Sequence, residues 1–289
     1  MKKIIILMAS VALTTMVSAQ MTELTNNTNA MQVYGVGLRV GAGSFRQNGD
    51  DLSAKMGING AVDGVYTYYF KRSKKASPFW GIRTGVSVAY GQNKVNADEI
   101  NQSYTLVADN AGSNVNILYN TKVTDVEETN RQLSVEVPIM ASMLYKQLFA
   151  NLGVRVGIPV MSKYKQTIGT ASIAGTVSDD DFEVVIPDKV VLGKVEETSF
   201  NDKLDAASFK MSLAFEGGYV FVVGGNWLSV GAYFNMGLVS NYDGGSDNLI
   251  SCDVSSIPAT VTVNSLTKAC SDKMADLNFG VKASFCWHK

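Results

Sequence analysis

The sequence predicts an all-β fold: an antiparallel up-and-down transmembrane β-barrel of eight strands, with ten as the alternative count. Three observations predict it. Long segments alternate between large apolar residues and small, charged or glycine residues, which is the period of a strand. These segments run to about a dozen residues, roughly twice the usual globular strand. The connections between them alternate between short turns and long polar segments.

The chain opens with MKKIIILMASVALTTMVSAQ. A basic start, an apolar run and the small-residue site Val17-Ser18-Ala19 predict a secretory signal peptide over residues 1–19. That run is too short to cross a bilayer as a helix. The mature chain is expected to begin at Gln20. Residues 20–31 are polar and read as a flexible lead-in. Residues 32–289 are expected to form one barrel domain.

The first strand is expected over about residues 32–45, with Tyr34, Val36, Leu38 and Val40 on one face and Gly35, Gly37, Arg39 and Gly41 on the other. The second covers about 56–71, with Ile58, Val62, Tyr66, Tyr68 and Phe70 opposite Asn59, Asp63 and Thr67. A basic turn, Arg72-Ser73-Lys74-Lys75, leads to the third at about 78–92, where Trp80, Ile82, Val86 and Val88 oppose Arg83 and Ser87. Residues 93–130 read as a long polar loop.

Two strands follow over residues 131–163, joined by a tight turn at Lys146-Gln147. Val135, Val137 and Ile139 share a face, as do Leu152, Val154, Val156 and Ile158, while Glu136 and Arg155 lie opposite. Pro138 and Pro159 fall on the small-residue face. Proline donates no ladder hydrogen bond, so a local bulge is expected at each. Residues 164–207 read as a second long loop, whose stretch 182–195 is the source of the ten-strand alternative.

The sixth strand, about 208–223, and the seventh, about 226–241, flank Gly224-Gly225, a two-residue hairpin signal. Leu213, Phe215, Tyr219, Leu228, Val230 and Phe234 face one way, with Lys210 and Glu216 opposite. Residues 242–274 read as a third long loop. The last strand places Phe279, Val281, Phe285 and Trp287 opposite Lys282, Cys286 and His288.

The face carrying the apolar residues is expected to look outward, towards lipid. An eight-stranded barrel has an interior just wide enough for side chains to fill. Roughly forty large apolar groups would not fit there. In every strand the apolar parity carries no charge, as a lipid face requires. Aromatic residues near strand ends (Tyr66, Tyr68, Phe70, Trp80, Tyr90, Tyr145, Phe149, Tyr219, Trp227, Phe285 and Trp287) read as interfacial girdles. Short turns and both termini would lie at the periplasmic end, and the long loops outside the cell.

The segments LSVEVPIMASMLYK and LGVRVGIPVMSKYK, together with the terminal NFGVKASFCW, resemble the outer-membrane β-barrel proteins common in Bacteroidetes, of the PorT-like and OmpA/OmpX-like barrel type. The resemblance covers essentially the whole mature chain. It implies an integral cell outer membrane location and little about activity.

Chemistry candidates are few. Formal charge is -1 and becomes -3 once Lys2 and Lys3 leave with the signal (-1 - 2), so no nucleic-acid partner is expected. Arg39, Asp63, Arg83, Glu136, Arg155, Lys210, Glu216 and Lys282 share the inward parity and read as an interior charge network. Cys252 and Cys270 form a candidate disulfide in the third loop, closing a loop of about 18 residues in an oxidising compartment. His288 is the single histidine and has no matched nucleophile, so no catalytic residue and no enzyme activity are expected. No metal-ligand spacing and no cofactor motif occurs.

The functional expectation is a structural or surface-interaction protein, adhesion-type, acting through its long extracellular loops. A narrow small-solute or ion channel is the alternative, and a lipid-modifying enzyme a weaker one. The expected partners are outer-membrane lipid or lipopolysaccharide, the barrel-assembly machinery, and an extracellular ligand or host surface; the ligand-binding residues stay unassigned.

Overall fold

The computed structural model describes residues 27–47, 52–75, 77–110, 113–179, 182–185, 198–204, 207–242, 249–253, 260–270 and 274–289. The expected signal segment 1–19 and most of the expected lead-in lie outside the described residues. The strands are β1 (Met31–Gln47), β2 (Ser53–Lys55), β3 (Gly57–Tyr69), β4 (Phe79–Asn110), β5 (Ser113–Tyr145), β6 (Leu148–Ile168), β7 (Thr170–Asp179), β8 (Phe182–Val185), β9 (Thr198–Lys203), β10 (Lys210–Val223), β11 (Asn226–Gly237), β12 (Ile250–Asp253), β13 (Thr260–Val263) and β14 (Met274–His288). One short helix, α1 (Leu266–Cys270), precedes β14.

Eight of these strands close a ring in the order β1-β3-β4-β5-β6-β10-β11-β14, with β14 returning to β1. Every pairing in it is antiparallel. The expected count of eight is therefore the observed one. The ten-strand alternative fails because β6 pairs directly with β10, and the hairpin β7–β8 lies outside the ring. The rest of 182–195 lies outside the described residues.

Side chains alternate across the wall as the sequence pattern requires. The apolar parity looks outward: Val40 is 64% exposed and Val281 66%, and Leu38, Val62, Ile82, Ile139, Leu152 and Phe215 are exposed beside them. In water such a belt would be untenable, and in lipid it is the matching solvent. Tyr34, Tyr66, Phe70, Trp80, Tyr145, Tyr219 and Trp287 sit outward near its turn end. Two of the expected girdle residues do not. Phe149 and Trp227 are buried inside, where they pack with Met31, Val33, Tyr69 and Phe79 and fill the turn end of the barrel. Each lies one residue from a tight turn, on the inward parity of its strand.

The turns follow local chemistry. Gly224 and Gly225 both take positive φ, +58° and +80°, giving the right-handed twist that a two-residue hairpin needs. Val223 then faces Asn226 as the parity demanded. Lys146 adopts φ 56° in the corresponding turn between β5 and β6. The start of β1 and the residue after β14 meet at this same rim, where Gln32 and Lys289 exchange backbone hydrogen bonds of 3.1 and 2.9 Å.

The two prolines behave differently. At Pro159 the register shifts: Ser134 faces Pro159 while Leu133 faces Met161, so Val160 is bulged out. The bulge reverses the parity of β6. Asn151 and Arg155 point inward before it, and Tyr164, Gln166 and Ile168 after it. Pro138 keeps its register, facing Arg155 on β6. The bulge expected there is absent. Instead, the β4–β5 ladder is interrupted between the pairs Arg83–Met140 and Ser87–Glu136, leaving Pro138 opposite Gly85 without a broken pairing register.

The largest departure from the sequence reading is outside the membrane. The described residues of 93–130 are strand and not loop. β4 and β5 pair from Phe79–Leu144 out to Asn110–Ser113, and β6 and β7 follow β5 on its other edge as far as Asn116–Ser178. Some 18 residues of β4 beyond the belt, at about 3.3 Å each, make a sheet extending roughly 60 Å along the strand. Polar residues there mark the face open to water, while Val95, Ile100, Val123 and Val126 are buried on the other, and neither signals a loss of strand. The ladder simply continues from the hairpin whose register the membrane segment sets.

Candidate functional site

Within the ring, the small-residue parity turns eight sequence-named charged residues inward. Arg39 on β1 donates from Nε to both carboxylate oxygens of Asp63 on β3, at 3.1 and 3.0 Å. Its Nη2 reaches Glu136 on β5 at 3.3 Å, across the lumen. Glu216 on β10 is wholly buried and acts as a hub. It accepts from Arg155 on β6, from Lys282 on β14 at 2.5 Å and from the Asn151 amide at 3.0 Å, and Arg83 Nε on β4 stands 3.6 Å away. Lys210 pairs with Asp276 at 2.8 Å. Asp276 also accepts from the Asn93 amide at 2.9 Å.

This network is structural chemistry. Each buried ion has a counter-charge, which a low-dielectric interior demands. Uncharged cross-braces add to it. The Tyr233 hydroxyl on β11 donates to Asn59 on β3, passing over β14 and β1. Glycine permits this crossing, because a Cβ at Gly41 would meet the Tyr233 hydroxyl and the Phe279 carbonyl. The Arg39 guanidinium lies 5.5 Å from the centre of the same tyrosine ring.

Among the described residues, side chains occupy the lumen. Voids among these side chains measure about 20, 20 and 30 Å³, room for a water or two each. Apolar clusters close both ends. At the turn end it is the Phe149–Trp227 group. At the other, β12, β13 and α1 fold back from the third long connection onto a core of Val95, Ile100, Val126, Tyr164, Leu249 and Leu266. The expected loop at 242–274 is thus, among its described residues, a packed cap.

Glu128 on β5 anchors that cap. Its fully buried carboxylate accepts from the Leu266 amide at 2.6 Å, the Thr267 amide at 3.3 Å and the Thr267 hydroxyl. Gln166 accepts from the same Leu266 amide at 3.0 Å. Together they satisfy the donors that start α1. Burial pushes the Glu128 carboxyl above the usual carboxylate range, although the hydroxyl donors of Thr267 and Ser265 pull the other way.

Two functional residues escaped sequence reasoning. Asp276 lies on the inward parity two residues before Asn278, so continuing the alternation of the last strand would have found it. Glu128 offered no signal, because it sits in a segment read as loop. Among the remaining candidates, Cys252 stands in β12 and Cys270 ends α1, but their side chains lie outside the described residues. Cys286 is a buried free thiol. His288 stacks on Trp227 at 5.2 Å between ring centres, at the turn end. Among the described residues, no cluster of metal-ligating side chains occurs.

Solved structures similar to the chain include the following three. Ail, the attachment invasion locus protein of Yersinia pestis, is 10% identical, with 90% of this chain and 99% of that one covered and a TM-score of 0.28. The outer membrane protease OmpT from Escherichia coli is 8% identical, covering 90% and 97%, with a TM-score of 0.28. The translocator domain of the autotransporter NalP from Neisseria meningitidis is 9% identical, covering 97% and 94%, with a TM-score of 0.23. No curated protein matches. Residues 19–243 match the family described as outer membrane protein beta-barrel domain, and the chain belongs to that family.

Proposed function

We propose that this outer-membrane barrel is a surface-interaction protein, adhesion-type, whose working part is the sheet it raises above the bilayer. The carrying observation is the continuation of β4, β5, β6 and β7 past the apolar belt as one antiparallel sheet. A merely structural barrel needs strands of only about 9–11 residues to cross the membrane. β4 and β5 have 32 and 33. The added length creates a braced, polar surface in water, rich in Ser, Thr and Asn side chains that suit hydrogen-bonded recognition. Outer-membrane lipid or lipopolysaccharide is the proposed partner of the belt, and an extracellular ligand or host surface that of the sheet. Export by the signal segment and insertion by the barrel-assembly machinery belong to the same reading. So does kinship with the Bacteroidetes barrels, which rests on the motifs quoted above.

The channel alternative finds less support, because voids of 20–30 Å³ do not form a solute path. The lipid-modifying alternative gains no support from a histidine stacked on tryptophan at the turn rim.

The test deletes residues 99–124, which leaves Asp98-Asp125 as a two-residue turn between the facing residues Ala97 and Val126. Cells carrying either form at equal surface level are washed over protein-, glycan- and lipid-coated surfaces. A loss of retention with the shortened form is expected. Unchanged retention on every surface, with the barrel still folded on a cold gel, overturns the proposal.

A further inference from the structure

Charge is unevenly distributed along the lumen. Arg39 has two carboxylates, Asp63 and Glu136, and Lys210 has Asp276. Arg83, Arg155 and Lys282 share the single carboxylate of Glu216. Around that hub, three cations and one anion leave a local excess of two positive charges. Excess charge held away from water is costly, and a mobile counter-ion is the simplest relief.

A void of about 20 Å³ lies beside this hub, between it and the apolar cluster at the turn end. Arg83 lines it with Thr67, Tyr69, Asn151, Trp227 and Cys286. Arg83 is 8% exposed, and its Nη2 is buried without a hydrogen-bond partner. The residues lining the void include hydroxyl and thiol donors and no carboxylate. Its size admits one water-sized particle. Sulfate and phosphate are too large, and a metal cation would face a guanidinium.

We propose that the barrel holds one monatomic anion, a halide, beside Arg83 Nη2. Chloride is the halide available to a cell. The partly apolar wall contributed by Trp227 and Val33 suits a weakly hydrated ion better than a strongly hydrated one. The bound anion would halve the excess positive charge around Glu216 and so belong to the folded barrel.

The test uses the full mature protein folded in detergent. Crystals are soaked in sodium bromide and examined for anomalous scattering. A bromide peak in contact with Arg83 Nη2 is expected. Its absence from well-ordered crystals overturns the proposal. In solution, unfolding is followed in sodium chloride and in sodium gluconate at equal ionic strength. At chloride about ten times its dissociation constant, the folded-to-unfolded ratio should rise about tenfold. Thr67→Val, which keeps the wall's shape, should weaken that chloride effect. Arg83→Gln should remove it. Equal stability of the native protein in the two salts overturns the proposal, whatever the variants do.

Discussion

Lys210 Nζ lies 2.8 Å from Asp276 Oδ2, joining β10 to β14 across the intervening β11. The pair stitches strands that share no backbone ladder, near the point where the membrane lumen gives way to the cap. Its two members are each about one-sixth exposed or less, so the attraction is little screened.

Breaking this pair on one side should therefore cost more than replacing both partners. Asp276→Asn strands a buried ammonium and should destabilise the barrel by about 3 kcal/mol, whereas Lys210→Met with Asp276→Asn should cost far less, because the asparagine carbonyl can still accept from the Asn93 amide. Urea unfolding of the four members of the cycle checks this. Simple additivity of the single changes would contradict the pairing.

Glu216→Gln should be the most damaging single change in the lumen. It leaves Arg83, Arg155 and Lys282 facing a neutral amide. A loss of about 3–5 kcal/mol is expected, larger than that of Glu136→Gln, which weakens a second contact of Arg39 and a hydrogen bond from the Ser134 hydroxyl. The difference should show in the temperature at which the unboiled gel band converts.

Gly41→Val should overpack the crossing of Tyr233 over β1. A cost of about 1–3 kcal/mol is expected. Combining it with Tyr233→Leu should recover part of the loss, since the hydroxyl it displaces is then gone. No recovery would mean that the ladder itself, where Gly41 faces Gly280, is the constraint.

Attachment of the cap should weaken as pH rises. Burial raises the Glu128 carboxyl in the folded state, so the folded form holds a proton that the unfolded form has released. The stabilisation is complete below the ordinary glutamate value of about 4.3 and fades as pH climbs through the higher folded value. Hydrogen exchange of the Leu266 and Thr267 amides, corrected for intrinsic rates, should report easier opening at pH 7 than at pH 4 (about those values). Glu128→Gln should flatten this dependence. Protection that grows with pH would refute it.

Planar bilayers carrying the folded protein should be electrically quiet. The lumen is crossed by the Arg39–Glu136 and Arg83–Glu216 contacts and closed by apolar clusters at both ends. Steady conductance in the native protein would contradict the packed interior.

Much of the membrane part was legible from the chain alone, because lipid enforces a simple rule there. A residue facing hydrocarbon must be apolar, so the alternation around Val36, Val88, Ile158 and Phe285 gives both strand and face. The eight charged interior residues follow from the same parity. Above the membrane, one face of the sheet meets water and the other meets a cap folded from distant chain, so the rule lapses. Polar residues 93–110 then look like loop, although they are paired strand.

Alternation alone therefore settled the lipid-facing side and the eight named inward charges, and it left the strand number at eight or ten, which the direct pairing of β6 with β10 decided. Only the tertiary structure decided which charges meet. Glu216 gathers partners from three other strands, and Lys210 chooses Asp276, because closing the ring brings together residues far apart in the chain. It also decided that the third connection folds into a cap on Glu128. That carboxylate becomes an anchor only when β5 runs past the membrane and α1 docks its first amides against it. Local patterning governs what each residue can face, while long-range closure governs what it finds there.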